Sequence, residues 1–150
     1  MEIVAASPHD LKALEKVERS CFSKDRYPRR MLRSLLNERG CRTFFALEQG
    51  EVVGAVSILL APQPSQAKLA SRAVMPEHRG KGIAKMLIRK AEITAIAEGN
   101  RTMTLEVGTS NVPALNLYLK DGFRIQGIIP DYYGHSRDAF YMEKTLEPTK

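Results

Sequence analysis

Residues 74–84 have the sequence VMPEHRGKGIA, which predicts the end of a strand, a short glycine-bearing turn and the start of a long helix. The first amide N–H groups of a helix have no intrahelical acceptor, and the helix dipole adds partial positive charge there. Gly80 and Gly82 allow the backbone to approach an anion closely, and Arg79 and Lys81 add full positive charges. The segment therefore predicts a pyrophosphate site; the alternative is a flexible turn with solvated basic side chains.

Two common phosphate-binding motifs do not fit this segment. No Ser or Thr follows a Gly-Lys pair as a Walker loop requires, because Gly80-Lys81 is followed by Gly82. A dinucleotide-binding fingerprint would need a third glycine at position 85, where Lys85 stands, and it usually opens the first strand–helix unit of a domain.

Strands and helices alternate on both sides of this segment, which predicts one α/β domain over residues 1–150. Helix starts are indicated at Ser7-Pro8, with Asp10 three residues after the Ser7 cap, and at Pro28. Gln49-Gly50 predicts a turn, and Pro62 and Pro64 mark a loop. Apolar spacing predicts two further helices, Gly82–Ala97 and Pro113–Lys120, and Gly122 is expected to end the second. The predicted strands, of which the last two are expected to form a hairpin, are Glu2–Ala6, Thr43–Leu47, Val52–Leu60, Lys68–Met75, Thr102–Val107, Phe123–Ile129 and Ala139–Leu146.

A second informative stretch, LEVGTSNVPALNLYLKDGF, spans residues 105–123. Glu106 alternates with apolar residues in a predicted strand, so it faces away from the core if Leu105 and Val107 face inward. Spacing alone favours a solvated carboxylate for Glu106 and a packed aromatic for Tyr118. Asn111 needs no role beyond capping the short helix.

Together the two stretches resemble the acetyl-CoA motifs of the GNAT superfamily. Arg79, Gly82 and Ala84 are similar to its Arg/Gln-x-x-Gly-x-Gly/Ala signature. An Asn-x-x-Ala-x-x-Leu-Tyr-x-x-x-Gly-Phe signature is met by Asn111, Ala114, Leu117, Tyr118, Gly122 and Phe123. The core motifs lie within residues 68–123. The resemblance implies a mixed, mostly antiparallel twisted sheet of six to seven strands, flanked by about four helices.

Within the superfamily the chain resembles the RimI type, which acetylates protein N-terminal α-amines. The resemblance implies acetyl-CoA as cosubstrate, no metal, Glu106 as general base and Tyr118 as general acid. The cofactor-binding residues that it implies are Ala73, Val74, Arg79, Gly80, Lys81, Gly82, Ile83, Ala84, Asn111 and Tyr118. The acceptor is expected near Tyr27, Arg72, Tyr132 and Tyr133.

Three departures from the family pattern concern the acceptor. Arg72 replaces the usual aliphatic residue, Gly108 stands where RimI-type proteins often carry Arg, and residues 26–30 are unusually basic. The basic segment is either a solvated helix start or a rim that favours an acidic substrate. A lysine side chain, a polyamine or a small amine stays open as acceptor, and so does a cofactor-binding sensor without turnover.

Composition sets broad limits on partners. Lys plus Arg number 23 against 17 Asp plus Glu, and the net charge of +6 favours an anionic partner, either nucleic acid or a phosphate-rich cofactor. Basic residues are spread along the chain with few interleaved aromatics, unlike the stacking surface of a nucleic-acid-binding protein. Cys21 and Cys41 are too few for a disulfide framework, so we expect idle thiols. No signal-peptide pattern or apolar run of about 18 residues occurs. We therefore expect a cytoplasmic monomer or homodimer.

Overall fold

The computed structural model describes residues 1–22, 26–60 and 65–147. Within these ranges, seven strands form one sheet in the order β1-β2-β3-β4-β5-β7-β6. The strands are β1 Glu2–Ala5, β2 Cys41–Glu48, β3 Glu51–Leu59, β4 Gln66–Val74, β5 Thr102–Gly108, β6 Arg124–Ile129 and β7 Ala139–Thr145. Every neighbouring pair is antiparallel except β4 and β5, which are parallel. The expected α/β fold with a mixed, mostly antiparallel sheet is confirmed.

In the described part of the chain, four α-helices accompany the sheet: α1 Leu11–Cys21, α2 Arg29–Asn37, α3 Ile83–Ala97 and α4 Val112–Asp121. A 3₁₀ turn, Pro8–Asp10, precedes α1, where the Ser7 N–H donates to Asp10 Oδ2 at 2.7 Å and completes a capping box. None of the described helices is long and apolar enough to cross a membrane.

The helices cover both faces of the sheet. On one face α3 packs with Phe44 and Val56 in the larger core. On the other face α1 and α2 pack with Phe45 and Ala55. Adjacent strand residues point to opposite faces, so β2 and β3 are apolar on both sides because both are covered.

Predicted boundaries differ from the observed ones by one or two residues at most strands. The largest differences are two residues, at the starts of β2 and β4, which begin at Cys41 and Gln66. The predicted turn at Gln49-Gly50 is confirmed, with φ of 52° and 80°, as are the closing β6–β7 hairpin and the cap at Asn111. The predicted loop at Pro62 and Pro64 lies outside the described residues.

Strands β4 and β5 are paired only where they start. Their ladder covers Gln66–Lys68 against Thr102–Thr104, after which β4 continues to Val74 and β5 to Gly108 without pairing to each other. A β-bulge lies just beyond this point: Ile58 of β3 pairs with Leu69, but Ser57 pairs with Ser71, so Ala70 is the extra residue. The sheet is therefore open between the later halves of β4 and β5.

The bulge reverses which face the side chains of β4 point to. Before it, Lys68 lies opposite Leu59 and its neighbours Ala67 and Leu69 join the core on the α3 face. After it, Arg72 pairs with Val56, a residue of that same α3-side core. Lys68 and Arg72 would share a face in a regular strand, since side chains repeat every two residues. The extra residue places them on opposite faces.

Candidate active site

The gap between β4 and β5 opens into a cavity of about 650 Å³. Its walls come from β4, β5, the start of α4, the end of α1 and the loop before β7. The predicted site residues that line it are Tyr27, Arg72, Glu106, Asn111, Tyr118, Tyr132 and Tyr133. The fold thus brings these residues together from distant parts of the chain.

Glu106 enters the cleft from the α1–α2 face. Leu105 and Val107 are buried in the α3-side core, so Glu106 points the other way, as predicted, with its side chain 10% exposed. Lys68 Nζ lies 2.7 Å from Glu106 Oε1, and Tyr132 donates its hydroxyl to the same oxygen at 3.1 Å. Within residues 1–22, 26–60 and 65–147, no group donates to Oε2. The carboxylate is therefore held by one oxygen and has the other available.

Two tyrosines surround this carboxylate and remain protonated. Burial, followed by the charge and hydrogen bond of Glu106, raises the pKa of Tyr132 to about 12, which preserves its donor role at neutral pH. Burial also raises the pKa of Tyr27. The Tyr27 hydroxyl donates to the Ala70 carbonyl at 2.8 Å, so it braces the bulged residue of β4.

Glu18 holds the backbone of Tyr27 through a hydrogen bond. It lies on α1, is 4% exposed and accepts the backbone N–H of Tyr27 at 3.0 Å. Burial raises the pKa of this carboxyl, and the hydrogen bond from Tyr27 opposes the rise. Burying a carboxyl is costly unless it is hydrogen-bonded, and among the described residues its donor is the Tyr27 amide. This bond fixes the start of the segment that carries Tyr27.

Tyr118 reaches the cleft from the opposite, α3–α4 side. It is 6% exposed and packs edge-on against Phe123 with ring centroids 5.7 Å apart. Arg72 Nε donates to the Tyr118 hydroxyl at 3.1 Å, and the Arg72 guanidinium lies 5.5 Å from the centre of the Tyr118 ring. Glu106 and Tyr118 therefore approach one cleft from the two faces of the sheet.

The segment after β4 forms a backbone anion site. Gly80 and Gly82 have φ of 83° and 81°, a conformation that favours glycine, and Gly82 is the N-cap residue of α3. Among the described residues, no side chain or carbonyl accepts the amide N–H groups of residues 80–85. These amides are the donors that a diphosphate needs.

The basic side chains of this segment contact the protein itself. Arg79 Nε donates to the Val74 carbonyl at 2.9 Å, and Cys21 Sγ donates to the same oxygen at 3.4 Å. Lys81 Nζ lies 3.9 Å from Glu48 Oε2, which His78 Nδ1 approaches to 3.0 Å. Both cysteines are free and half-buried, and burial raises the pKa of each thiol. The unpartnered donors are thus backbone groups rather than the Arg79 and Lys81 side chains.

Ala73 and Val74 lie just beyond the part of β4 that lines the cleft, and Asn111 lies in the cleft wall. Ala73 and Val74 end β4 and are 5% and 4% exposed, and Asn111 Oδ1 caps α4 by accepting the Ala114 N–H at 3.4 Å. A Cβ at Gly108 would lie 3.6 Å from the Tyr133 ring, which is an ordinary van der Waals contact.

Sequence reasoning missed Lys68 and Glu18. Each had a signal: Lys68 alternates with apolar residues in a strand, and Glu18 interrupts the apolar stripe of α1 next to Val17. A charge in a buried pattern indicates a specific partner. The identity of the partner depended on the β4–β5 register and on the fold of residues 26–28.

Comparison with known proteins identifies the class that this fold and cleft define. The profile of the acetyltransferase (GNAT) family matches residues 11–123. The chain belongs to this family and is an acetyltransferase.

Individual relatives support the membership. The chain is 39% identical over 100 residues to N-acetyltransferase 8B of Rattus norvegicus, a match that covers 63% of the chain and 45% of that protein. It is 31% identical over 149 residues to the N-alpha-acetyltransferase of Sulfurisphaera tokodaii, covering 91% of the chain and 88% of that protein.

Among solved structures, the ribosomal-protein-S18-alanine N-acetyltransferase of Escherichia coli superposes with a TM-score of 0.88 at 23% identity. The superposition covers 99% of this chain and 96% of that one, and it confirms the GNAT fold.

Proposed function

We propose that this protein transfers an acetyl group from acetyl-CoA to the N-terminal α-amine of a protein or peptide by direct attack. One observation carries the proposal: Glu106 and Tyr118 line a single cleft from opposite faces of the sheet. The amides at the start of α3, which have no acceptor among the described residues, follow β4, which lines the same cleft. A base on one side and an acid on the other is the arrangement that aminolysis of a thioester needs.

Acetyl-CoA would supply an activated acyl group on a sulfur leaving group. The amides of residues 80–85 would hold its diphosphate, since the φ of Gly80 and Gly82 and the dipole of α3 direct positive potential to one place. Ala73 and Val74 end the β4 edge that leads from the cleft to this site, so their main-chain groups and Asn111 would hold the pantetheine arm.

The acceptor must lose a proton before it attacks. A free α-amine with a pKa near 8 is about one-tenth neutral at pH 7, whereas a lysine amine near 10.4 is only about 0.04% neutral. Glu106 would accept the proton on Oε2, directly or through a water, because Lys68 and Tyr132 already hold Oε1. A single carboxylate base can therefore deprotonate an α-amine more readily than a lysine side chain.

The bond changes follow from these positions. The amine nitrogen attacks the thioester carbonyl carbon, and the resulting oxyanion would accept a backbone N–H near Val74. The carbon–sulfur bond then breaks, and Tyr118 would donate its hydroxyl proton to the departing sulfur. The nitrogen releases its second proton to solvent to give the neutral amide, and solvent returns a proton to the Tyr118 oxygen and takes one from Glu106. Product amide and free CoA leave the cleft.

A protein or peptide terminus suits the open edges of β4 and β5 beyond Lys68, whose later halves do not pair with each other. The archaeal relative is named an N-alpha-acetyltransferase, which supports the same acceptor. A single domain over residues 1–150, with its core motifs at 68–123, and a cytoplasmic location stay predictions from the sequence.

The test is thiol release from acetyl-CoA by the purified protein with matched acceptors. The panel is a peptide with a free N-terminus, the same peptide with a blocked N-terminus and one lysine, spermidine and an aminoglycoside. We expect the free N-terminus to be preferred. Preference for the lysine, polyamine or small amine would reject the acceptor class, and CoA binding without thiol release from any amine would indicate a sensor.

Nucleic-acid binding is tested separately, by filter binding at several salt concentrations. Salt-sensitive RNA affinity together with no affinity for CoA would reject the acetyltransferase proposal.

A further inference from the structure

We propose that Arg72 is a positioning residue that directs the Tyr118 proton toward the leaving sulfur. The inference rests on the proposed function, in which Tyr118 is the general acid. Arg72 occupies a position expected to be aliphatic and expected to contact the acceptor, whereas the structure places its guanidinium on the Tyr118 hydroxyl.

The hydrogen bond has only one possible direction. A guanidinium carries donors and no acceptor, so the Arg72 Nε–H donates to the phenol oxygen at 3.1 Å. The Tyr118 O–H proton therefore cannot point at Arg72. In the part of the chain that the structure describes, no protein group accepts this proton, and the hydroxyl faces the cleft. Arg72 thus orients the proton toward the space that the thioester would occupy.

Packing also restricts the position of the Tyr118 ring, and with it the position of the hydroxyl. Phe123 meets the Tyr118 ring edge-on at an interplanar angle of 70°, and the Arg72 guanidinium lies over the ring at 5.5 Å from its centre. Both contacts favour one position of the phenol. A hydroxyl held before substrate arrives needs no reorganisation when the proton moves.

The charge of Arg72 is available to the phenol. No carboxylate within the described residues forms a salt bridge with Arg72, and its polar contact there is the Tyr118 hydroxyl. As the phenol gives up its proton, negative charge develops on the oxygen that Arg72 already contacts. A hydrogen bond from a charged donor strengthens with that charge.

The bulge at Ala70 makes this contact possible. It moves Arg72 to the face of Val56 and the α3-side core, where Tyr118 lies, while Lys68 stays on the face of Glu106. One strand thereby supplies a cation to the base from one face and a cation to the acid from the other.

The test is a double-mutant cycle on acetyl transfer with Arg72→Met, Tyr118→Phe and the double variant. We expect Arg72→Met to lower kcat about ten- to hundredfold, the size of a lost charge-assisted hydrogen bond, with little change in KM for either substrate. In the Tyr118→Phe background the same change should have almost no effect on kcat, because no proton remains to be directed. Arg72→Lys, which keeps the charge, should recover part of the rate.

Arg33→Met, which removes an exposed arginine from α2, is the matched control and should retain full activity. Equal losses of kcat from Arg72→Met with Tyr118 intact and with Tyr118→Phe present would overturn the role of Arg72. A loss confined to the KM of the acceptor would overturn it as well. Absence of thiol release by the unaltered protein with every amine would instead reject the proposed function.

Discussion

Two lysine–carboxylate groups in this protein have similar distances and different surroundings. Lys68 lies 2.7 Å from Glu106 in the cleft, and Lys144 lies 3.0 Å from Glu92 between α3 and β7. Lys144 also contacts Asp121 of α4 at 3.0 Å, so one cation joins two carboxylates. Both oxygens of Glu92 accept from Lys144, whereas the described partners of Glu106 all contact its Oε1.

The difference separates a reactive group from a structural one. At Glu106 the second oxygen faces a cavity that holds a potential acid on its other side. At the other site, the Lys144 ammonium contacts both Glu92 and Asp121, and these contacts connect α3, α4 and β7. Ion-pair distance alone does not distinguish the two sites; the number of engaged oxygens and the open space beside them do.

Replacing each glutamate in turn should give the largest difference in activity between the two sites. Glu106→Gln should lower the rate of acetyl transfer by about 10²- to 10⁴-fold, the range for a lost general base. The loss should be greatest at low pH, where neutral amine is scarcest. Glu92→Gln is the matched control and should leave turnover unchanged. A pH–rate profile of the Glu106 variant parallel to that of the unaltered protein would contradict the base role.

Removing the proposed acid from the same cleft should give the second largest loss of rate. Tyr118→Phe should slow the chemical step by about 10- to 10⁴-fold, with cofactor affinity little changed, because only the transferable proton is lost. Steady-state kinetics beside a cofactor titration measures both quantities. Unchanged turnover would reject Tyr118 as the acid.

The anion site can be tested at two glycines with nearly the same φ, Gly82 and Gly50. Gly82→Ala should raise the Kd for CoA roughly tenfold, since a left-handed conformation costs a non-glycine residue about 1–2 kcal/mol. Without CoA, the loop of the Gly82→Ala variant can relax to a different backbone conformation. CoA binding must then restore the left-handed conformation at residue 82, which weakens the affinity. Gly50, with φ of 80° in the β2–β3 turn, provides the control. Equal Kd values for the Gly82 and Gly50 variants would mean that the turn at Gly82 does not bind the cofactor.

The structural site predicts a pH-dependent stability. Burial and the neighbouring Asp121 raise the pKa of Glu92 from 4.5 to about 7. The folded state then binds this proton more tightly than the unfolded chain, so its stabilising contribution is present below pH 4.5 and is lost as pH rises through 7. The loss is on the order of 2 kcal/mol.

Denaturant unfolding at about pH 5 and about pH 8, on either side of the folded pKa, measures this effect. From about pH 5 to about pH 8, the free energy of unfolding of the unaltered protein should fall relative to that of the Glu92→Gln variant. Any contribution from the histidines is the same in both proteins and drops out of the difference. An identical pH dependence in both proteins would show that Glu92 titrates normally.

Local signals in the sequence were sufficient for most of the fold. The capping box at Ser7 and Asp10, the turn at Gln49-Gly50 and the Gly122 stop of α4 depend on neighbouring residues only, and each was predicted. The outward direction of Glu106 followed from strand alternation.

Contacts that depend on register could not be predicted. Lys68 meets Glu106 because residues 68 and 104 are paired and residue 106 shares the face of residue 104. Arg72 meets Tyr118 because Ala70 is bulged, and no rule of alternation locates a bulge. The sequence therefore placed Arg72 near the acceptor without indicating its contact with Tyr118.

The most direct test is a crystal structure with a conjugate of CoA and a peptide N-terminus. The thioether sulfur should lie within hydrogen-bond distance of the Tyr118 hydroxyl, the peptide nitrogen on the Glu106 side of the sheet gap, and the diphosphate on the amides of residues 80–85. A diphosphate bound elsewhere, or a conjugate that leaves Glu106 and Tyr118 on the same side of the sulfur, would contradict the account.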